Sequence, residues 1–260
     1  MRGAIIGAGL VLLTWAVQAS DVSNLSASAD DGDLSASIAA VNDDRFRGIS
    51  QSALNPAIQP SLQWTQASTG LFVGAAGSNV NFKDPQNATV ELDIFGGKQF
   101  DLPFGELSVE AYYYSYPDHH PLPGGEVYSW FETIAKFGHS FGPVALTATA
   151  AWTPNYYEEN GTGFYMAGTA EWALTDWLSL SGTIGRQSAA HLNGDEDGFP
   201  YAHWDAGATA AYENFSLDVR YSDTNIMRDQ CEALNEDAGV HWCGATVLVT
   251  LTYDIGEWPL

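Results

Sequence analysis

Basic residues are scarce in this sequence. Lysine and arginine number 9 against 32 aspartates and glutamates, a formal net charge of -23 in 260 residues. Such a chain cannot neutralise a run of phosphates, which excludes nucleic acid as a partner. It also carries no polybasic anchor for an anionic membrane surface. Past residue 20 no apolar run approaches the roughly 20 residues of a membrane helix, and no convincing amphipathic helix is visible. Charged residues make up only 16% and aromatic residues 13%, so the chain is not disordered. Cysteine is limited to Cys231 and Cys243.

What is present starts with a leader. Residues 1–19 read as a secretory signal peptide: Arg2 gives the positive start, Ala4 to Ala19 is mostly apolar, and Val17-Gln18-Ala19 fits a small-residue cleavage site. Residues 20–33 are a short acidic leader, and 34–260 form a single domain. Export implies an oxidising compartment, so Cys231 and Cys243 are expected to form a disulfide that stabilises by about 2–4 kcal/mol. Those two thiols with His241 make a weak donor set, and no metal or other cofactor is expected.

The rest of the chain repeats about ten residues of alternating polarity followed by a turn. Val90, Leu92 and Ile94 alternate with Thr89, Glu91 and Asp93. Val247, Val249, Leu251 and Tyr253 alternate with Thr246, Leu248, Thr250 and Thr252. This is the period of strands with unlike faces. About twelve begin near Leu34, Ala57, Leu71, Thr89, Glu106, Glu126, Pro143, Phe164, Trp177, Tyr201, Phe215 and Ala245. Short connections (67–70, 139–142, 174–176, 213–214, with 98–105 the longest) alternate with longer polar ones (43–56, 79–88, 116–125, 154–163, 188–200, 223–243). The expected fold is therefore all-β: an antiparallel transmembrane β-barrel of about 12 strands, with short periplasmic turns and longer extracellular loops, in a bacterial outer membrane.

Giving the more apolar parity to lipid turns Glu91, Asp93, Glu110, Glu126, Glu132, Glu171, Asp205, Glu213, Asp218 and Asp254 inward, with Lys136 and Arg220 as the main bases. A lumen so lined attracts cations. The competing reading makes these acids the solvated face of a soluble sheet, which the alternation of loop lengths disfavours. Aromatics near segment ends, among them Trp64, Tyr112, Tyr113, Tyr114, Tyr116, Trp152, Tyr156, Trp172, Trp177, Tyr212, Tyr221 and Trp258, read as interfacial girdles.

Sites of chemistry are few. The acidic loop at 193–198 begins like an EF-hand, but position twelve would be Trp204, so an EF-hand is excluded, and a solvated acidic loop or a weak surface calcium site are the readings left. Of the six histidines only His203 falls within a strand. It is expected to hydrogen-bond Asp205. No nucleophile elbow accompanies it, so an enzyme is not expected.

Residues 43–62, DDRFRGISQSALNPAIQPSL, are not generic. With SNVNF at 78–82, ELDIFGG at 91–97, YYYSYP at 112–117 and YSDTN at 221–225 before the two cysteines, they resemble the TorF-type porin family of bacterial outer membranes. The resemblance implies an exported β-barrel with a transport role and supplies no catalytic residues. Arg45 and Arg47 flank Phe46 in the first of these motifs. The arginines could pair with lumen acids as a constriction, bind lipopolysaccharide phosphates, or neutralise Asp43 and Asp44 at a turn that Gly48 permits.

The C-terminus departs from the barrel pattern. Alternation is expected to stop near Tyr253 or Ile255, leaving GEWPL as a tail, since Pro259 cannot donate to a ladder. The resulting expectation is a porin-like channel for small polar solutes, favouring cations, in contact with outer-membrane lipids and lipopolysaccharide. A non-conducting barrel with a structural or surface-binding role and a lipid-modifying enzyme are the alternatives.

Overall fold

Two-residue alternation builds a sheet with one apolar and one polar face, and the computed structural model closes that sheet on itself. The structure describes residues 32–83, 88–120, 128–156, 161–189, 200–235 and 242–259, with the side chains of 233–235 and 257–259 left aside. The elements in chain order are β1 (Gly32–Val41), β2 (Arg45–Phe46), β3 (Ile49–Ser50), β4 (Ala57–Gln66), β5 (Leu71–Asn79), β6 (Val90–Leu102) and β7 (Gly105–Ser115). They continue with β8 (Trp130–Phe141), β9 (Val144–Thr153), β10 (Gly163–Thr175), β11 (Leu178–Ala189), β12 (Tyr201–Tyr212), β13 (Phe215–Thr224), α1 (Arg228–Asn235) and β14 (Thr246–Pro259). Twelve of the strands form a closed antiparallel barrel, each pairing with its neighbours along the chain and β14 returning to β1. β2 and β3 pair only with each other.

The all-β, twelve-stranded expectation holds, and four local expectations need correction. The connection at 98–105 is only residues 103–104, because β6 continues to Leu102 and β7 starts at Gly105. The strand expected from Glu126 is described from Trp130; Glu126 itself lies outside the described residues. A helix, α1, sits in the last long connection where none was expected. Finally, β14 does not stop at Tyr253. Asp254 and Gly256 face the consecutive residues Ser37 and Ala36 of β1, so Ile255 is an extra residue, and pairing resumes as far as Pro259 opposite Asp33. A β-bulge of this kind resets the strand's parity, which is why counting back from the end fails. The signal peptide, most of the leader, His191, His241 and the 193–198 loop lie outside the described residues, while Gly32 and Asp33 belong to β1.

Alternate wall residues face the outside, and most of them are apolar, with exceptions such as Thr133 and Arg186. Ile94 is 52% exposed and Ile184 65%, while Asp93, beside Ile94 on the same strand, is 4% exposed. The buried interior is thus the lumen, and the exposed apolar belt suits lipid rather than water. One rim carries the short turns, the other the long connections. Leu251 lies mid-strand on the outer face, so Leu251→Arg is expected to cost about 2–4 kcal/mol. The check is the yield of heat-modifiable, folded protein in lipid vesicles; an unchanged yield would discard the lipid-facing assignment.

Candidate functional site: the occluded lumen

The residues after β1 turn inward. β2 and β3 form a hairpin whose turn is Arg47-Gly48, with φ of 50° and 87°. Two left-handed residues in a two-residue turn match the twist of the flanking strands. A Cβ on Gly48 would meet Thr224 Cγ2 at 2.6 Å and His203 Cβ at 2.9 Å, so glycine is required by space as well as by φ. The base of the hairpin is fixed by Asp43, which accepts hydrogen bonds from Arg45 Nε at 2.7 Å and from Ser50 Oγ at 2.5 Å. Arg45 Nη1 also donates to the carbonyls of Gly48 and Gly244. Asp44 accepts from Ser78 Oγ at 2.6 Å, tying the same segment to β5.

The tip reaches the far wall. Arg47 Nη2 donates to Glu132 Oε2 on β8 at 2.6 Å, and Nη1 to Gln187 Oε1 on β11 at 2.5 Å. Its guanidinium lies 3.9 Å from the Tyr165 ring centroid and 4.5 Å from that of Phe46. Both side chains of the Arg47–Glu132 pair are 1% exposed. Burial works against the charged form of Arg47, but the Glu132 carboxylate holds the guanidinium above its ordinary value.

Beside the hairpin runs an aromatic stack. Phe95 stacks on Tyr112 at 4.8 Å and Tyr114 on Trp130 at 4.3 Å, with Phe46 edge-on to both Tyr114 and Trp130. This corrects the girdle assignment for Tyr112, Tyr114, Tyr116 and Tyr156, which are buried inside the barrel. Tyr113, Trp152, Trp172, Trp177, Tyr212 and Tyr221 do stand on the outside. Alternation through the run Tyr112-Tyr113-Tyr114 sends its members to opposite faces.

Toward the short-turn rim the lumen is polar. Lys136 Nζ and Glu110 Oε1 are 2.5 Å apart. Arg220 joins Asp205 and Asp218 and donates to Ser181 Oγ at 2.9 Å. Under the hairpin a cavity of about 150 Å³ is lined by Asp44, Arg45, Arg47, Gln59, Glu91, Asp93, Glu171, Asp205 and Arg220, among others.

Of the acids expected in the lumen, Asp93, Glu110, Glu132 and Asp218 are buried there, and Glu91, Glu171 and Asp205 line the cavity. Asp254 shares the inner face with Thr252. Glu213 does not belong with them: it is exposed in the two-residue turn 213–214, where its φ is 52°. His203 is also reassigned. It meets the Tyr165 hydroxyl at 3.0 Å, and Asp205 is taken by Arg220. The two arginines divide the readings offered for them. Arg45 neutralises Asp43 and holds the turn, whereas Arg47 crosses to lumen residues. Both are buried, out of reach of lipopolysaccharide phosphates.

Cys231 and Cys243 are joined by a disulfide. With Trp242 they form a small core against Ile49 and Ala53 of the plug segment, and Ser50 N donates to the Trp242 carbonyl at 3.0 Å. Sequence reasoning missed this contact and the partners of Arg47, since neither lies near in the chain.

Removing one member of a buried ion pair leaves the other uncompensated, at a cost of about 3–5 kcal/mol. Arg47→Ala and Glu132→Gln should each destabilise the barrel by that order. The double variant should recover much of the loss, and additive losses in chemical unfolding would show that the pair is not coupled. Burial pushes the Asp44 carboxyl up to about 6, opposed by hydrogen bonds from Ser78 and Gln59 and assisted by the Asp43 charge. A carboxyl raised by folding binds a proton more tightly when folded, so its contribution is full below about pH 4 and is lost as pH rises through about 6. The stability difference between wild type and Asp44→Asn should therefore change over that window, and a pH-independent difference would refute the assignment.

No curated protein matches the chain in sequence. Among solved structures, the fold resembles the KdgM porin determined in complex with disordered oligogalacturonate. The TM-score is 0.54 at 5% identity, over 86% of this chain and 99% of that one. The NanC porin is matched with a TM-score of 0.54 at 6% identity, over 84% of this chain and 98% of that one. These likenesses show a porin-like outer-membrane β-barrel fold. In sequence, residues 26–253 match the family described as "Bacterial protein of unknown function (Gcw_chp)". With the match running over nearly the whole chain, the protein belongs to the Gcw_chp family.

Proposed function

We propose that the protein is an outer-membrane channel for small polar solutes that favours cations and is narrowed by its own hairpin. The observation that carries this reading is the charge left over inside. Each lumen base has a carboxylate partner: Arg45 with Asp43, Arg47 with Glu132, Lys136 with Glu110, Arg220 with Asp205 and Asp218. Among the described residues, Asp44, Glu91, Asp93 and Glu171 form no such pair. A narrow, low-dielectric passage with surplus carboxylates lowers the barrier for cations and raises it for anions. Oligogalacturonate, named with the KdgM porin, is a polyanion, and this lumen is unsuited to one. The TorF-type resemblance of residues 43–62 supports transport, and in that setting the long connections face the exterior beside lipopolysaccharide. No catalytic step or cofactor is part of this reading.

A second reading is favoured by the plug itself. The hairpin and the aromatic stack fill the lumen near the long-loop rim and leave about 150 Å³ beneath, as in a barrel filled by its own side chains. That protein would be a non-conducting structural or surface-binding barrel.

Planar-bilayer recording across a potassium chloride gradient separates the two. Small stepwise conductance with a cation-favouring reversal potential is expected, and larger or longer openings in the Arg47→Ala/Glu132→Gln variant. Anion preference would discard the acidic-lumen argument. Silence from folded wild type and variant alike would establish the plugged barrel instead.

A further inference from the structure

Two buried oxygen atoms under the hairpin lack a partner. Asp93 is 4% exposed and its Oδ1 accepts no hydrogen bond; Gln59 is 6% exposed and its Oε1 accepts none either. They sit on β6 and β4, and both side chains line the cavity together with Asp44 and Glu91. The hydrogen bonds that the neighbouring acids do make come from neutral donors: Ser78 Oγ to Asp44 Oδ2 at 2.6 Å, the Gln59 amide to Asp44, and Tyr116 OH to Glu91 Oε2 at 2.5 Å. What is missing is thus a donor, and a positively charged one. A carboxylate and an amide oxygen can only accept, and buried acceptors left unmet are rare and costly.

The geometry narrows the ligand. Among the described residues, no three or more His, Cys, Asp or Glu side chains are grouped so as to hold a metal ion. The residues that carry these oxygens line one shared cavity. That space, about 150 Å³, is several times the roughly 30 Å³ share of a water molecule. It suits a small polyatomic cation that brings its own N–H donors.

We propose that this cavity binds a primary alkylammonium ion, whose N–H groups donate to Asp93 Oδ1 and Gln59 Oε1 within the charge of Asp44, Glu91 and Asp93. Arg45 and Arg47 do not oppose it strongly, since Asp43 and Glu132 already match their charge. The proposal rests on the cation-favouring reading of the lumen and names a substrate class for it.

The test uses the full refolded protein in detergent and follows its thermal unfolding by heat modifiability. Methylammonium chloride is compared with tetramethylammonium chloride and potassium chloride at equal ionic strength. Methylammonium is expected to raise the midpoint saturably. Tetramethylammonium, equally charged but without an N–H, and potassium should not. Asp93→Asn should weaken half-saturation by about tenfold or more, as loss of a charge-assisted hydrogen bond implies. Equal shifts from all three salts, no shift at all, or an unchanged response in Asp93→Asn would overturn the proposal; the comparison of salts needs no variant to fold. Bilayer recording on the same preparation keeps the two readings apart. Cation-selective conductance without a methylammonium response removes the site and leaves the channel. A methylammonium response without conductance removes the channel and leaves the site.

Discussion

The interior is organised around one buried charge. The guanidinium of Arg47 is too deeply buried to be left unpaired, and its Nη1 and Nη2 are met by Gln187 and Glu132 on two separate strands, while Nε meets no acceptor. That requirement sets the depth of the hairpin, and the depth sets the rest. It brings Phe46 against Tyr114 and Trp130, places Gly48 against His203 and Thr224, and draws Asp44 down to Ser78. A lysine at this position would supply charge without the planar fork or the stacking on Tyr165. The left-handed backbone at Arg47 is a local cost that these contacts offset.

The wall was legible in the sequence because each strand carries its own two-faced pattern. Ala57, Leu71, Tyr201 and Phe215 are both the expected and the observed strand starts. Strand β8 was harder, since its polar approach near Glu126 alternates as well as the strand does. The bulge at Ile255 was invisible because a bulge is defined by its partner strand, here β1 more than 200 residues away. The helix at Arg228–Asn235 is too short and too polar to stand out by periodicity.

The lumen was legible in charge but not in pairing. Parity alone placed Asp93, Glu110, Glu132 and Asp218 inside, since a strand's alternate residues have no other place to go. It misplaced Glu213 because a two-residue turn has no faces. It could not tell which acids are neutralised. Arg47 meets a carboxylate 85 positions along the chain, and Arg220 takes Asp205 from the histidine two residues before it. Lys136 and Arg220 find their carboxylates on the same or the adjoining strand, but parity does not say which acid is chosen; the contacts of Arg47 with β8 and β11 depend on the closed wall. The motif at 43–62 carried the clearest signal because its contacts are mostly internal: Asp43 with Arg45, Ser50 and Ser52.

The seam between β1 and β14 lies directly beside the hairpin. Asn42, the residue after β1, extends that seam with its side chain, donating from Nδ2 to the Val247 carbonyl and accepting at Oδ1 from Val249 N. The seam joins the two ends of the chain, and pairings of such sequence separation form late and slowly. The plug is therefore tethered to the part of the wall that is completed last. Its far partners on β8 and β11 can be in place before the cylinder shuts, ready to receive it. In the order of assembly, closing the barrel and stoppering it become a single step, so an open, unplugged cylinder need never accumulate on the way to the folded state.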